Sequence, residues 1–480
     1  EMPEGTMLAM GSNQLGQLGV EGPDEASSGG SELWWPGRPV RVMLPIGCCV
    51  TDAACGESHC LAVDTEGRLY GWGNNDYGQI ETLQDRDASS AGTVHHLPVL
   101  LGRYVGSVLQ SVRFVAVACG AQFSLALDSE GFVWAWGGGE GGVLGLGSSG
   151  LSGRPIPTKL ESLNGRSCAS VTCGAYHSMA LSDAGGLYAW GRAEGGQLGI
   201  AEAKIDEYIQ EHCLNDTCVV EPLAVSFPGC DSDVHVQLQQ VSCGDVHSCA
   251  LDVYGRVWAW GWGEFGQLGL GFSSEQFEPG LGGVACKRPT PERLSRSAFG
   301  GVGIRQIACG GAFACAVVEH SGTLFMWGSN EHGQCALPAK KPIVIEVPTK
   351  VPDIIDVMSL ACGAAHCIAV DVLGRAISWG STRHGQLGSP GPGLLPLPVQ
   401  RGAREMSDST PKSGTCAEGS ASAFAQHEPT PIRSVSLLCV KKAACGLHHS
   451  LLLPASLMPS RQKALGEAPL DSLASPKMPL

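Results

Sequence analysis

Nowhere in this 480-residue chain is there an unbroken apolar run of the roughly 18 residues that a bilayer span requires. The first twenty residues also lack the basic stretch followed by an apolar one that marks a secretory leader. Positive charge is scarce. Lys and Arg total 31 against 46 Asp and Glu, a formal net charge of −15, which repels phosphate backbones and excludes an electrostatic footprint for nucleic acid. Signatures of independent catalysis are missing too: there is no phosphate-binding GxxxxGK followed by Ser or Thr, no HExxH and no GxSxG elbow. No cofactor or metal is called for, and intrinsic catalysis is not expected. What the chain has instead is 67 Gly, 29 Pro, 43% hydrophobic and only 16% charged residues, a balance that builds a large core with many tight turns and favours an all-β protein.

The chain repeats itself. A Cys-Gly pair, two residues, usually a His, an apolar run and a Gly-bounded turn recur from Cys55, Cys119, Cys173, Cys243, Cys309, Cys362 and Cys445. Each of the first six copies runs on into a short aromatic strand ending in Trp-Gly and a turn resembling GQLG, as in LYAWGRAEGGQLG. The seventh stops at Leu453 without that strand, whereas TMLAMGSNQLGQLG, Thr6 to Gly19, opens the chain with no Cys-Gly segment before it. The two ends complete one repeat. Each repeat supplies four strand-sized pieces, one of them expected to begin at a Pro near Pro39, Pro98, Pro157, Pro222, Pro291, Pro348 and Pro431. Four strands per repeat make a propeller blade, and pairing the first strand with the last ones hides the two sheet edges at the seam. The expectation is a seven-bladed β-propeller of four-stranded blades over 1–453, closed by its termini, with a flexible Pro- and Ser-rich tail over 454–480. Long Cys-to-Cys spacings place insertions near 201–221, with a helical turn, and near 401–428, without order.

Recurrence assigns roles to single residues. Trp72, Trp136, Trp190, Trp260, Trp327 and Trp379, with Met10 in the split repeat, read as interblade core. Glycines such as Gly266 and Gly269 provide positive φ or close approach of neighbouring blades. His59, His177, His247, His366 and His449 share their position with Phe123 and Phe313, so a structural hydrogen bond fits better than a set of active or metal sites. His212, Cys213 and Cys218 cluster in the first insertion, but a zinc site needs a fourth ligand and tighter pairing. The 21 Cys are odd in number and many occupy one repeated position, which suits small buried apolar groups in a reducing compartment, cytoplasm or nucleus. Residue 1 is Glu, so a removed targeting segment stays open.

The Cys-Gly, His-Ser, Trp-Gly and GQLG pattern strongly resembles the regulator of chromosome condensation repeat family over residues 1–453. The resemblance implies the propeller, while the family's functions range over nucleotide exchange factors for Ran-like GTPases, a plant ultraviolet-B photoreceptor, ubiquitin-ligase modules and scaffolds. The photoreceptor would require Trp and Arg directly after the repeated Gly. Those places read Glu57-Ser58, Ala121-Gln122, Ala175-Tyr176, Asp245-Val246, Gly311-Ala312, Ala364-Ala365 and Leu447-His448, and none holds Trp. An exchange factor implies acidic loops on one face and a β-wedge between blades. Glu57 and Asp245 match the acidic type of position, but no wedge-like insertion follows the Trp-Gly strands. The leading expectation is therefore a scaffold that holds a protein partner at face loops or the channel mouth through Glu57, Asp245 and the insertion residues Ile205, Asp206, Glu207 and Tyr208. Guanine nucleotide exchange on a Ran-like small GTPase is the alternative.

Overall fold

The computed structural model describes residues 6–21, 38–80, 94–102, 108–228, 236–272, 286–337, 343–352, 354, 356–388, 425–432, 435 and 439–455. They form seven four-stranded antiparallel sheets arranged as blades in a ring. Six blades are continuous in sequence: β3–β6 (Val50–Cys55, His59–Asp64, Leu69–Asn74, Val94–Leu100), β7–β10 (Phe114–Cys119, Phe123–Asp128, Val133–Gly137, Arg154–Lys159) and β11–β14 (Cys168–Cys173, His177–Ser182, Leu187–Arg192, Cys218–Ala224), followed by β15–β18 (Leu238–Cys243, His247–Asp252, Val257–Gly261, Arg288–Arg293), β19–β22 (Ile304–Cys309, Phe313–Val318, Leu324–Ser329, Val344–Lys350) and β23–β26 (Val357–Cys362, His366–Asp371, Ala376–Ser381, Ala425–Pro431). The seventh blade is shared. β1 (Leu8–Gly11) and β2 (Val40–Arg41) provide its outer half, and β27 (Val440–Cys445) and β28 (His449–Pro454) its inner half, in the order β2-β1-β28-β27.

The seam is an ordinary antiparallel ladder: Leu8 faces Leu452, Ala9 faces Leu451, Met10 faces Ser450 and Gly11 faces His449. The inner strands touch in succession around the ring, and β27 returns to β3. The expected closure by the termini is what the chain adopts. β28 runs through Pro454, one residue beyond the expected end of the propeller, and residues 456–480 of the expected tail lie outside the described residues.

The outer strands correct one expectation. Pro39 directly precedes β2 as expected, but in the other six blades the prolines do not initiate the strand. In each of the six continuous blades the register between the third and outer strands slips, so that three outer residues face the single Trp of the Trp-Gly strand. The last of those three is Pro98, Pro157, Pro222, Pro291, Pro348 or Pro429. A bulge on an edge strand needs no ladder donor there, so proline costs nothing and stiffens the bend. In the blade of β26 the equivalent residue is Pro429, and Pro431 ends the strand. This also revises the second insertion: 401–424 lie outside the described residues, while 425–428 belong to β26. The first insertion holds a ten-residue helix, α1 (Glu202–Glu211), and its last residues, 218–221, are already β14.

All six Trp-Gly indoles are fully buried. Their Nε1 groups donate to backbone carbonyls in the turn of the preceding blade: Trp72 to Gln17, Trp136 to Gln79, Trp190 to Val143, Trp260 to Gln197, Trp327 to Gln267 and Trp379 to Gln334, at 2.8–3.0 Å. Each indole thus removes a large apolar surface from water and satisfies its own donor across a blade boundary. The GQLG turn explains itself as well. Gly266 and Gly269 have φ of +72° and +68°, and a Cβ on Gly269 would lie 2.9 Å from the Trp327 ring.

Candidate interface at the channel mouth

The Cys-Gly loops join the innermost strand of each blade to the second and surround the central channel. Their glycines are required by proximity. A Cβ on Gly56, Gly174, Gly244, Gly310, Gly363 or Gly446 would stand 2.4–2.6 Å from the glycine carbonyl of the adjacent blade. Backbone bonds stitch the loops together, with Ala121 N–H donating to Ala175, Asp245 to Gly311, Ala364 to Gly446 and Leu447 to Gly56 at 3.1–3.3 Å. The cysteine thiols reach the preceding blade: Cys119 donates to the Ala54 carbonyl, Cys309 to Ser242 and Cys445 to Ala361. The seven Cys-Gly pairs line a cavity of about 220 Å³.

Beneath the loops lies a second interblade lock. His59 Nε2 sits 3.0 Å from Ser124 Oγ, His177 Nε2 2.9 Å from Ser248 Oγ and His366 Nε2 2.7 Å from Ser450 Oγ, each serine being in the next blade. The serines donate onward to the carbonyls of Gln79, Gln197 and Gln386. His449 uses Cys60 Sγ in the same way at 3.0 Å. Burial holds the imidazoles of His59, His177 and His366 down at about 3, with a neighbouring buried His adding to each. They are neutral, structural histidines, as their interchange with Phe123 and Phe313 implied.

The start of each second strand pairs with the end of the third, as His177 does with Gly191, so the Cys-Gly loops and the turns after Trp-Gly share one face of the ring. Glu57 and Asp245, in non-adjacent blades, both line the cavity on that face and both are exposed. Surrounding protein raises the pKa of the Asp245 carboxyl by desolvation. A feature that residue-by-residue reading missed adds to them. Four positions after the Trp, five consecutive blades carry an acid: Asp76, Glu140, Glu194, Glu264 and Glu331. Arg383 and Gln14 replace it in the last two. Glu264 is half-buried and accepts from Trp262 Nε1 at 3.0 Å, Glu140 is ion-paired with Arg192, and Asp76, Glu194 and Glu331 are exposed. Arg192 also covers the ring of Tyr176, a residue of the mouth, at 4.6 Å.

The helix α1 hangs from the same face. Its residues divide by side: Asp206 and Glu207 are exposed, while Ile205 and Tyr208 are buried against the propeller. The last two therefore anchor the helix and are removed from the surface a partner can reach. Tyr208 also stacks on His212 at 4.0 Å, and His212 Nδ1 lies 2.9 Å from the Tyr208 carbonyl. Cys213 is exposed and Cys218 buried, so the insertion's His and Cys residues do not converge on an ion. Among the described residues, His and Cys side chains gather at two other places, Cys55/Cys60/His449 and His247/Cys249/Cys309. No helix among the described residues is long and apolar enough to cross a membrane.

Blade count, seam and interblade locks define a propeller built of regulator of chromosome condensation repeats. The RCC1-like domain model matches residues 6–406, and the chain belongs to that family. It is 28% identical to the ultraviolet-B receptor UVR8 of Arabidopsis thaliana over 73% of this chain and 69% of that protein. Protein RCC2 of Homo sapiens is 29% identical over 88% of this chain and 70% of its own length. The human E3 ubiquitin-protein ligase HERC2 is 31% identical, but the match spans only 6% of it. Among solved structures, Prp20p from Saccharomyces cerevisiae superposes with a TM-score of 0.71 at 22% identity, covering 96% of this chain and 93% of that one, which speaks for the fold.

Proposed function

We propose that the propeller is a protein-binding scaffold that seats a basic segment of its partner on the face bearing the Cys-Gly loops. One observation carries this reading: the acids at the fourth position after Trp form an arc over five consecutive blades, and Glu57 and Asp245 stand inside it at the channel mouth. An arc of acids beside a concave opening attracts basic ligands and makes association salt-sensitive. Asp206 and Glu207 extend the acidic surface outward from β13. The test is affinity capture with the wild-type chain and with Glu57→Lys/Asp245→Lys and Asp76→Lys/Glu194→Lys/Glu331→Lys variants, across a range of ionic strength. Partners lost from both variants and weakened by salt support the reading. An unchanged partner set overturns it.

The second reading is guanine nucleotide exchange on a Ran-like small GTPase. The structure of Prp20p is described together with its binding to Gsp1p and histones, and the similarity in fold motivates asking the same of this chain. Release of a fluorescent GDP from purified small GTPases decides between the two. Stimulated release establishes exchange, and binding without stimulation leaves the scaffold.

A further inference from the structure

His247 breaks the interblade lock. Its counterparts His59, His177, His366 and His449 each meet a hydroxyl or thiol of the next blade. At the corresponding place the blade of β19–β22 presents Ala314, which offers nothing. Among the described residues, neither ring nitrogen of His247 meets a hydroxyl, amide or carbonyl, although the side chain is fully buried, and the Cys309 thiol is a polar group that it faces. A buried unpaired imidazole is destabilising relative to a paired one, and Phe, which fills this position in two other blades, avoids that penalty.

Two thiols surround the unpaired ring. Cys249 lies two residues along the same strand, and Cys309 comes from the Cys-Gly pair of the adjacent blade. The ligand atoms of the three lie within 4.8 Å of one another, and all three residues are buried. Donors around one ion held at about 2.0–2.3 Å, the range for His nitrogen and Cys sulfur, stand roughly 3.3–4.0 Å apart, so small side-chain adjustments bring them onto one centre. Cys309 also lines the channel cavity, which supplies a route in from solvent.

We propose that His247, Cys249 and Cys309 bind one thiophilic d10 metal ion, Cu(I) or Zn(II), between two blades. Thiolate and imidazole donors select these soft and borderline ions over Mg²⁺ or Ca²⁺. Binding displaces the thiol protons of Cys249 and Cys309 to solvent, and His247 ligates as the neutral ring. Three protein donors and a dry surround suit three-coordinate Cu(I), whereas the two thiolates neutralise Zn(II). The sibling cluster Cys55/Cys60/His449 differs, because its imidazole is already engaged by Cys60; at the proposed site, among the described residues, only the Cys309 thiol, on the Ser242 carbonyl, has a bond to give up.

The experiment titrates the reduced full-length chain, without oxygen, with Cu(I) or Zn(II) against a coloured chelator, and records X-ray absorption of the loaded protein. The expected result is one tight equivalent with a nitrogen and two sulfurs around the metal. His247→Phe and Cys249→Leu install residues that the other blades carry at these positions, so the fold is kept. Each should weaken that equivalent by about 100-fold or more, at the upper end of what loss of a supporting residue costs. Ala314→Ser supplies the missing hydroxyl, and should raise thermal stability while weakening the metal by about tenfold. The coordination number read from the absorption spectrum, three for Cu(I) or four for Zn(II), shows which geometry the site imposes. Binding of neither ion, or equal tight binding by wild type, His247→Phe and Ala314→Ser, overturns the proposal.

Discussion

His59 Nε2 and Ser124 Oγ, 65 residues apart in sequence, meet at 3.0 Å inside the boundary between two blades. The serine hydroxyl donates in turn to the Gln79 carbonyl, which also accepts from the Trp136 indole N–H. Four residues from two blades thus share one polar node in an otherwise apolar seam. Ser124→Ala strands the imidazole and should cost about 1–3 kcal/mol. His59→Phe should cost less, because Phe123 already faces a serine, Ser178, in the next boundary. Urea unfolding of both single variants and the double variant checks this, and a larger loss for His59→Phe would contradict it.

Acid should loosen the ring through the same histidines. His59, His177 and His366 titrate at about 3 when folded, against about 6.5 for an unperturbed His. Between those values the unfolded chain binds protons that the folded chain refuses, so stability is present in full above about 6.5 and falls as pH is lowered toward 3. Stability measured against pH should rise through that window with a slope of about one proton per histidine. Replacing the three by Phe should flatten it, and an unaltered slope would show that other groups govern acid unfolding.

The ring, the blade count and the use of both termini in one blade were legible because Cys-Gly and Trp-Gly recur and the missing pieces at the two ends are complementary. Strand registers were not. Proline at Pro157 or Pro222 marks a bulge opposite a Trp, and an alternating pattern read along one strand cannot show that three residues face one. Ile205, Asp206, Glu207 and Tyr208 read as one partner surface in sequence; only the helix, which sets residues three apart on one side, separates the buried Ile205 and Tyr208 from the exposed pair. The acidic arc escaped because each acid alone is an unremarkable turn residue; only counting from the Trp brings Asp76, Glu194 and Glu331 into one row. The unpaired His247 required a comparison across blades, since its cause is Ala314, 67 residues away.

Glycines of two kinds should respond differently to a methyl group. On Gly244 it would lie 2.1 Å from His247 Cε1 and 2.5 Å from the Gly310 carbonyl, and neither wall can retreat without opening the blade boundary. Gly244→Ala should therefore cost about 3 kcal/mol or more, the upper end for overpacking. On Gly165 it meets nothing within 4 Å, and only the φ of +82° resists it. Gly165→Ala should cost about 1–2 kcal/mol. Chemical denaturation that ranks the two in the opposite order would mean the Cys-Gly glycine serves conformation and not proximity.

Closure by the termini makes the seam the point on which cooperativity depends. Deleting 6–19 removes β1, bares the edge of β28 and takes Met10 and Leu18 out of the core. Deleting 443–453 strips the same blade from its inner side. Exposed strand edges pair with other chains, so both truncated proteins should lose the single sharp melting transition and self-associate in size-exclusion chromatography. A circular permutant separates the seam from the mere presence of these residues. Joining residue 455 to residue 6 through a linker and reopening the chain at Gly165, in an exposed turn between β10 and β11, keeps every strand but leaves each blade continuous in sequence. That protein should still fold to the ring and melt at a lower temperature than wild type, because no strand now staples the opening. If either truncation melts as the intact chain does, or the permutant is the more stable, closure by the shared blade is not what holds the propeller shut.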